Sequence, residues 1–375
     1  MKNICFVVSS PLTANAFLAD HITALSRRYS IDLVCNVTEP SELGRIASHA
    51  KITRIRIFRN VSPIEDFVAC LRLYALFRQE RYAAVSSVTP KAGILTMLAA
   101  AAAGISLRTH IFTGQVWATR TGWKRQLLKM ADRLIARLAT HILADSPSQR
   151  DFMVAEGIAP AQKIRVLGKG AICGVDGDRF RPDAGRRAQI RKNHAIPEGA
   201  FVYLFLGRIT RDKGVLDLAD AFASIANPIV WLLVVGPDET NLKEEMKIRL
   251  GEALMRTCFV DCTARPEDYM AAADVVCLPS CREGFGMVII EAAATGIPAV
   301  ASRIYGITDA VEENTTGMLH ESGSVAEISS LMAEMARNQN LRLTMGQAAR
   351  ERALQLFSIQ NVTGNWLNFY GELLG

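Results

Sequence analysis

The chain has 375 residues, half of them hydrophobic and 21% charged. This length exceeds what one hydrophobic core usually supports, so we expect two domains, and the composition excludes a disordered chain. The net charge of +6 is unevenly distributed: residues 1–168 contain 22 Lys and Arg against 11 Asp and Glu, whereas the remainder contains 21 against 26. A basic first half is typical of contact with an anionic partner. Its aromatic residues are not interleaved with basic ones as nucleic-acid binding requires, so we expect no nucleic-acid partner.

The longest apolar run, Ile94–Ile105, is shorter than the roughly 20 residues that span a bilayer. The first residues, Lys2 followed by the strand-length run ICFVV, do not resemble a signal-peptide core. We therefore expect a cytoplasmic protein, and eight cysteines fit that compartment as reduced thiols.

Four of the cysteines form two C-x3-C pairs, Cys258 with Cys262 and Cys277 with Cys281. Neither a C-x2-C spacing nor a nearby histidine accompanies them, so we interpret them as small hydrophobic residues rather than zinc ligands. The D-x-D pattern of Asp176 and Asp178 lies in a loop and does not follow a strand. We expect no metal and no other cofactor.

Strand-like runs alternate with helical patterns along the first 167 residues. The predicted strands are 4–8, 31–35, 52–58, 83–88, 108–113, 141–144 and 164–167, and the predicted helices lie near 14–28, 64–80, 94–105 and 123–140, with a short one after Pro147. This alternation predicts a parallel sheet covered by helices on both faces. Residues 167–187, rich in glycine and charge, are typical of a connection between domains.

The same pattern then restarts. The predicted strands are 201–207, 229–236, 258–260, 273–279 and 298–302, with helices beginning at Gly214 and Gly286 and a helical tail. We predict an α/β protein with two doubly wound Rossmann-like domains and a cleft between them. The predicted domains are residues 1–170, residues 171–357, and a C-terminal helix, 358–375, that packs back on the first domain. Ligands of such sheets bind beyond the carboxyl ends of the strands.

A glycine-flanked turn follows the strand that ends at Pro279. A helix then begins near Gly286, and the first free N–H groups, those of Gly286, Met287 and Val288, form a site for an anion such as phosphate. Glu291 lies roughly 7.5 Å further along the helix axis, which suits a hydroxyl-bearing group attached to that phosphate. Glu283 precedes the helix and is placed to accept hydrogen bonds from a second polyol. The alternative is that both glutamates complement the helix dipole and face water.

A second cluster favours the ligand interpretation. In FLGRITRDKG, residues 205–214, Arg208 and Lys213 lie just beyond a strand end, where two cations can neutralise a diphosphate. The alternative here is a solvated basic loop. We interpret the combination as a ligand site rather than as unrelated surface groups, because it brings together two cations, a helix N-terminus and two carboxylates at adjoining strand ends.

The two motifs GRITRDKG and EGFGMVIIE, in this order, resemble those of the retaining GT-B glycosyltransferases of family GT4, and the resemblance covers essentially the whole chain. It implies that Arg208 and Lys213 bind the donor diphosphate and stabilise its departure, that Glu283 contacts the transferred sugar, and that Glu291 holds the nucleotide ribose. Gly284, Phe285, Gly286, Met287 and Val288 complete the implied donor site. The implied reaction transfers a sugar from a nucleotide donor to an acceptor hydroxyl, with retention and without a metal.

Two positions depart from the family pattern. Many relatives have a histidine after the strand near position 113, where this chain has Gln115, and His110 lies five residues earlier within the strand. Gln115 can hydrogen-bond a sugar but cannot act as a base, and we interpret His110 as a packed strand residue. Asp261 stands where glycine is common in the base-binding loop, so the identity of the nucleotide base, predicted as uracil, rests on fewer residues.

The first domain is expected to hold the acceptor. Ser10, Thr13 and Asn15 follow its first strand and provide neutral hydrogen-bonding groups suited to hydroxyls, although they equally suit helix capping.

A basic stripe runs along the helix predicted near 123–140. It consists of Arg125, Lys129, Arg133 and Arg137. With Trp117 and Trp123 just before it, the stripe favours peripheral attachment to anionic lipid on the inner face of the cell membrane, against the alternative of an ordinary amphipathic surface helix.

These observations predict a glycosyltransferase that adds a sugar, such as an N-acetylated or 6-deoxy hexosamine, from a UDP-linked donor. The predicted acceptor is a glycan or a polyprenyl-diphosphate-linked saccharide in the assembly of surface polysaccharide, such as lipopolysaccharide O-antigen. The alternatives are a sugar-nucleotide epimerase or glycan phosphorylase on the same frame, and a nicotinamide-dependent oxidoreductase. The glycine-rich segment LGKGAICG, residues 167–174, is not a proper dinucleotide fingerprint and argues against the last.

Overall fold

The computed structural model describes residues 1–58 and 60–375, and these divide into two compact units. The first comprises Met1–Gly174 with Ile359–Gly375, and the second Val175–Ser358. The predicted first boundary is therefore displaced by four residues. Residues 171–174 belong with the first unit because Ile172 is buried in its core and its carbonyl oxygen accepts a hydrogen bond of 2.8 Å from His21 Nε2.

The first unit contains a seven-stranded parallel sheet in the order β3-β2-β1-β4-β5-β6-β7. Its central strands are buried along their whole length, which is why they read as continuous apolar runs. The strands are β1 (Asn3–Val7), β2 (Ser30–Cys35), β3 (Lys51–Arg54), β4 (Ala84–Val88), β5 (Leu107–Phe112), β6 (His141–Ala144) and β7 (Ile164–Arg165).

Helices cover both faces of this sheet. The helices are α1 (Pro11–Phe17), α2 (Ala19–Leu25), α3 (Pro63–Glu80), α4 (Pro90–Ala102), α5 (Gly122–Leu138), α6 (Pro147–Ala155) and, from the end of the chain, α15 (Ile359–Leu374). Helices α1, α2 and α15 share one core, in which Trp366 and Tyr370 pack around Phe6. Helix α3 packs on α4, and α4 on α5, over separate cores that include Phe77 and Ile135. Helices α3, α4 and α5 lie side by side on the other face.

The second unit contains a six-stranded parallel sheet in the order β10-β9-β8-β11-β12-β13. Its strands are β8 (Phe201–Leu206), β9 (Val230–Val235), β10 (Thr257–Val260), β11 (Val275–Leu278), β12 (Ala299–Ser302) and β13 (Gly317–His320). Its helices are α7 (Ala184–Asn193), α8 (Val215–Ala223), α9 (Lys243–Leu250), α10 (Pro266–Ala272), α11 (Met287–Ala294), α12 (Ile307–Ala310), α13 (Val325–Arg337) and α14 (Gln339–Phe357).

The strand order reverses once in each sheet, between β1 and β4 in the first and between β8 and β11 in the second. The carboxyl ends of the strands on either side of a reversal are where doubly wound sheets bind ligands. The predicted α/β class with two doubly wound sheets is confirmed. The strand β13 was not predicted, because four residues beginning with glycine and ending with histidine carry little strand signal.

Candidate active site

The two predicted donor motifs lie in contact at the strand reversal of the second unit. The turn 207–214 follows β8, and the loop 279–286 follows the neighbouring strand β11. Gly214 permits the approach, since a Cβ atom there would lie 1.9 Å from the carbonyl oxygen of Pro279. The backbone N–H of Cys281 donates to the carbonyl oxygen of Asp212 at 2.8 Å, and the Asp212 carboxylate pairs with Arg282 at 3.0 Å.

Lys213 and Glu283 meet where these two segments touch. The Lys213 ammonium pairs with Glu283 Oε1, and the same oxygen accepts a hydrogen bond of 2.9 Å from the Ser280 hydroxyl. The side chains of Lys213 and Glu283 are only 19% and 13% exposed, so water screens this pair less than a surface pair. The sequence predicts Lys213 and Glu283 for this site but not Ser280.

Arg208 carries the second cation of the turn. Its guanidinium pairs with Glu239 Oε2 at 2.9 Å. Both side chains are more than a third exposed, at 41% for Arg208 and 35% for Glu239. Glu239 follows β9, and the adjacent Asp238 holds its loop in place by accepting hydrogen bonds from the backbone N–H groups of Leu242 and Lys243. The sequence does not predict that Glu239 pairs with Arg208, because this contact depends on β9 lying beside β8.

Helix α11 begins at this same edge. Gly286 precedes it with a φ of +85°, a left-handed conformation that glycine adopts readily. The N–H groups that begin a helix have no partner four residues earlier within it, and here the N–H of Ile289 donates to the Gly286 carbonyl oxygen at 2.9 Å. Phe285 is buried, with its ring centroid 5.2 Å from that of Phe357, so its side chain anchors the turn in the core. Phe285 can therefore serve a donor only through its backbone. Met287 and Val288 are partly exposed.

Glu291 lies on the second turn of α11. Burial raises the pKa of its carboxyl group to about 7; the nearby carboxylate of Glu267 acts in the same direction and the guanidinium of Arg179 opposes both. Arg179 itself pairs with Glu267 at 2.9 Å. A carboxylate that is costly to keep ionised without a ligand gains most from hydroxyl groups that donate hydrogen bonds to it.

The edge therefore combines two cations, a helix N-terminus and two carboxylates. Each cation is paired with a glutamate, which an incoming polyanion can replace. Of the residues the structure describes, no group of three or more His, Cys, Asp or Glu is placed to hold a metal ion. The D-x-D motif forms a turn, in which Asp176 Oδ1 accepts hydrogen bonds from the backbone N–H groups of Asp178 and Arg179. Asp261 is exposed and pairs with Lys243 at 2.9 Å.

The polar residues predicted for the acceptor are engaged within the first unit. Ser10 is the N-cap of α1: its hydroxyl accepts from the backbone N–H of Thr13 at 3.3 Å and lies 3.0 Å from the Thr13 hydroxyl. The Asn15 amide donates to the carbonyl oxygen of Glu42 at 2.7 Å. The Ser10 contacts correspond to the capping alternative; Ser10 and Thr13 are partly exposed and Asn15 is exposed.

Gln115 and His110 are both buried. Gln115 Oε1 accepts a hydrogen bond of 3.4 Å from Gln149. His110 Nδ1 lies 2.8 Å from the Ser87 hydroxyl, its ring packs edge-on against Phe112, and burial lowers its pKa to about 3. The interpretation of His110 as a packed strand residue is confirmed.

The strand reversal of the first unit brings together two hydroxyls that the sequence does not single out. Ser9 Oγ follows β1 and lies 3.4 Å from Thr89 Oγ1, which follows β4. Thr89 has a φ of +75°, a conformation that is strained for a β-branched residue. Both side chains are partly exposed, so they join the acceptor-side candidates.

The basic stripe of α5 is only partly available to a surface. Arg125 and Lys129 pair with Glu156 at 2.8 and 2.6 Å, and Lys129 is buried. Arg133 donates to the carbonyl oxygens of Glu156 and Gly157. Arg133 and Arg137 are exposed, whereas the stripe begins on the side of α5 that lies against the end of α6. Trp117, which was expected to support attachment to lipid, is buried. No helix in the described part of the chain is long and apolar enough to cross a membrane.

Solved structures with the same fold include the Anabaena protein Alr3699/HepE in complex with UDP and glucose, at 20% identity over 99% of this chain and 100% of that one, with a TM-score of 0.83. They also include the apo lipopolysaccharide outer core galactosyltransferase WaaB, at 16% identity over 99% of this chain and 100% of that one, with a TM-score of 0.72. The fold is GT-B.

Two family models match the chain: "Glycosyl transferases group 1" over residues 186–352 and "Glycosyl transferase 4-like domain" over residues 14–170. The capsular polysaccharide biosynthesis glycosyltransferase CapM of Staphylococcus aureus is 29% identical over 84% of this chain and 83% of that protein. The UDP-Gal:alpha-D-GlcNAc-diphosphoundecaprenol alpha-1,3-galactosyltransferase of Escherichia coli is 24% identical over 89% and 87%. The chain belongs to the glycosyltransferases of group 1, family GT4, and is a glycosyltransferase.

Proposed function

We propose that this enzyme transfers a sugar from a UDP-linked donor, with retention of configuration, to a lipid-linked saccharide during the assembly of surface polysaccharide. The observation that carries the proposal is the contact between the turn of Lys213 and the loop of Glu283 at the strand reversal of the second unit. This contact brings cations and a helix N-terminus to one edge, as a nucleoside diphosphate requires.

The donor diphosphate binds at the first turn of α11, and Arg208 and Lys213 neutralise it. As the bond to the sugar breaks, negative charge accumulates on the diphosphate, and the two cations stabilise it without metal assistance. The diphosphate replaces Glu239 at Arg208 and shares Lys213 with Glu283. Glu283 then accepts hydrogen bonds from hydroxyls of the transferred sugar.

The ribose binds at Glu291. Its hydroxyls donate to a carboxylate that burial destabilises in the free enzyme, and they replace part of its lost hydration. The hydrogen bonds thus favour the ionised form of Glu291 and the bound nucleotide together.

The activities of two relatives support the acceptor class. One relative uses a UDP-sugar and a diphosphoundecaprenol-linked acceptor, and another acts in capsular polysaccharide biosynthesis. We propose a polyprenyl-diphosphate-linked saccharide as acceptor for this chain, with Ser9 and Thr89 as the hydroxyl pair at the edge of the first unit. An N-acetylated or 6-deoxy hexosamine is the proposed donor sugar.

The test begins with thermal stabilisation of the enzyme by UDP, GDP and NAD, each with and without magnesium. We expect stabilisation by UDP, independent of magnesium, in the wild type but much less in Arg208→Ala. The matched control is Arg211→Ala, which removes a cation of the same turn that pairs with Glu245 on α9. Stabilisation by NAD alone, or equal stabilisation of both variants, contradicts the donor site.

The reaction is then measured with UDP-sugars and a polyprenyl-diphosphate-linked saccharide. NMR of the product reports the anomeric configuration, and an inverted linkage contradicts the retaining mechanism. Conversion of the UDP-sugar into its epimer without an acceptor would instead favour the epimerase alternative.

A further inference from the structure

Helix α5 carries an apolar stripe on the side that faces away from the sheet. Trp123, Leu127, Met130 and Leu134 repeat at intervals of four, three and four residues, which places them along one line of the helix. They are 71%, 58%, 61% and 38% exposed. The buried residues of the helix, including Ile135 and Ala136, lie on the opposite side, so nothing in the core requires this stripe.

Helix α3 carries a second stripe of the same kind. Ile64, Phe67, Leu71 and Tyr74 are exposed and follow the same periodicity, while Ala69, Leu73 and Phe77 face the core. Between the two helices lies α4, which packs on both and exposes Leu98. The outward sides of three adjacent helices thus form one face, which we call the α3–α5 face.

The second unit has no comparable face. Among its described residues the exposed large hydrophobic side chains are Ile229, Ile248, Met255 and Leu343, which lie singly on separate elements. Isolated exposed apolar side chains are ordinary, whereas a contiguous set on neighbouring helices marks a binding surface.

The charges around the α5 stripe indicate the partner. Arg120, Lys124, Arg133 and Arg137 are exposed beside it. The only acidic residue of α5, Asp132, is buried and accepts a hydrogen bond of 2.7 Å from the Trp117 indole N–H. A second copy of the chain would bring the same cations opposite one another, whereas a surface of anionic lipid complements them.

We propose that the α3–α5 face is a membrane-docking surface that inserts its apolar side chains into the interfacial region of an anionic bilayer. The surrounding cations then lie at the level of the lipid headgroups, as in helices that bind in the plane of a membrane. Insertion differs from attachment by the basic stripe alone, since part of the affinity survives high salt. The inference rests on this face and does not depend on the proposed reaction.

The experiment is co-sedimentation with vesicles of phosphatidylglycerol and phosphatidylcholine, compared with phosphatidylcholine alone. We expect the wild type to bind the anionic vesicles and to retain measurable binding at high salt. Tryptophan emission should shift to shorter wavelength on binding, because Trp123 is 71% exposed, whereas Trp117 and Trp366 are buried. Trp231 of the second unit is partly exposed and lies outside this face, so Trp123→Phe should abolish the shift.

The double variant Leu127→Gln/Met130→Gln should weaken binding at least about ten-fold, because two exposed side chains no longer contribute apolar area. The matched control, Ile248→Gln/Met255→Gln, changes two exposed apolar residues of the second unit and should bind as the wild type does. Stabilisation by UDP is measured in both variants and should be unchanged, so that a failure of docking is distinguished from a failure of the donor site.

Absence of vesicle binding, equal binding by the two double variants, or complete loss of binding at high salt would overturn the proposal. So would a wild-type dimer in light scattering that Leu127→Gln/Met130→Gln converts to a monomer, since a second copy would then occupy the face.

Discussion

The polar residues at the carboxyl edges of the two sheets differ in charge and in the contacts that they make. In the second unit, Arg208 pairs with Glu239 and Lys213 with Glu283, and each of these side chains keeps some exposure to solvent. In the first unit, Ser10 caps a helix and Gln115 is buried. Charged groups at a strand reversal must stay accessible to bind an anion, whereas neutral polar groups can equally satisfy the backbone. The comparison predicts that substitutions at the edge of the second unit lower turnover, whereas those at the edge of the first unit mainly lower stability.

The largest expected effect is that of Lys213→Ala at the donor edge. We expect kcat to fall by about 100-fold to 1,000-fold, because a cation that stabilises the departing diphosphate is lost. Arg211→Ala, on the same turn, should stay within about two-fold of the wild type, since its exposed pair with Glu245 contributes little. Steady-state kinetics check this pair of variants, and wild-type turnover in Lys213→Ala would break the comparison.

Glu291 should make the stability of the free enzyme depend on pH. The folded enzyme binds a proton there up to about pH 7, above the ordinary pKa of a glutamate, so the unfolded chain binds fewer protons between these values. Unfolding free energy contributed by this residue therefore falls as pH rises towards 7 and is constant above it. Glu291→Gln should remove the decline, which is on the order of 2 kcal/mol, as measured by denaturant unfolding from pH 5 to pH 8.

The matched variant is Glu267→Gln, which removes the neighbouring carboxylate that raises the same pKa. It should move the decline to lower pH and leave UDP binding largely intact. Glu291→Gln should weaken UDP binding about ten-fold, because hydrogen bonds to a charged group are stronger than those to an amide. An identical pH profile in the wild type and Glu291→Gln would contradict the assignment of the titration to this residue.

Ser10 tests the opposite edge. Ser10→Ala should cost about 1 kcal/mol of unfolding free energy through the lost N-cap, and Ser10→Gly only a few tenths. Thermal unfolding measures the difference between the two, and the KM for the acceptor should not change in either. A raised KM with no loss of stability would instead assign Ser10 to acceptor binding and would make the two edges more alike.

Glu239→Gln should have the smallest effect. Removing the charge that holds Arg208 in the free enzyme should strengthen UDP binding by a few-fold at low ionic strength, since exposed pairs contribute about 0–1 kcal/mol. Calorimetry at two salt concentrations measures this gain, which should shrink at the higher one. Weaker binding would show that Glu239 contributes directly to donor recognition.

The meeting of the two proposed donor motifs at one edge was predictable because their residues lie in two short segments that follow strands. Predicting that Lys213 and Glu283 lie together required only the positions of β8 and β11 and the expectation that the loops after these strands share an edge of the sheet. Glu239 and the Ser9–Thr89 pair were not predictable, since each contact joins loops whose strands pair only in the folded sheet. The burial of Lys129 was not predictable for a related reason: a helical stripe of arginines and lysines does not indicate which of its members pack against a neighbouring carboxylate such as Glu156.

By itself the sequence determined two doubly wound α/β units and the placement of the two donor motifs after strands, because apolar periodicity and glycine-rich turns are local properties of the chain. Only the tertiary structure decided which carboxylate meets which cation, that Ser10 caps α1 while Gln115 is buried, and that α5 exposes its tryptophan and methionine while one lysine of its basic stripe is buried. Those outcomes depend on strand order and on the packing of helices against one another, and no single segment contains that information.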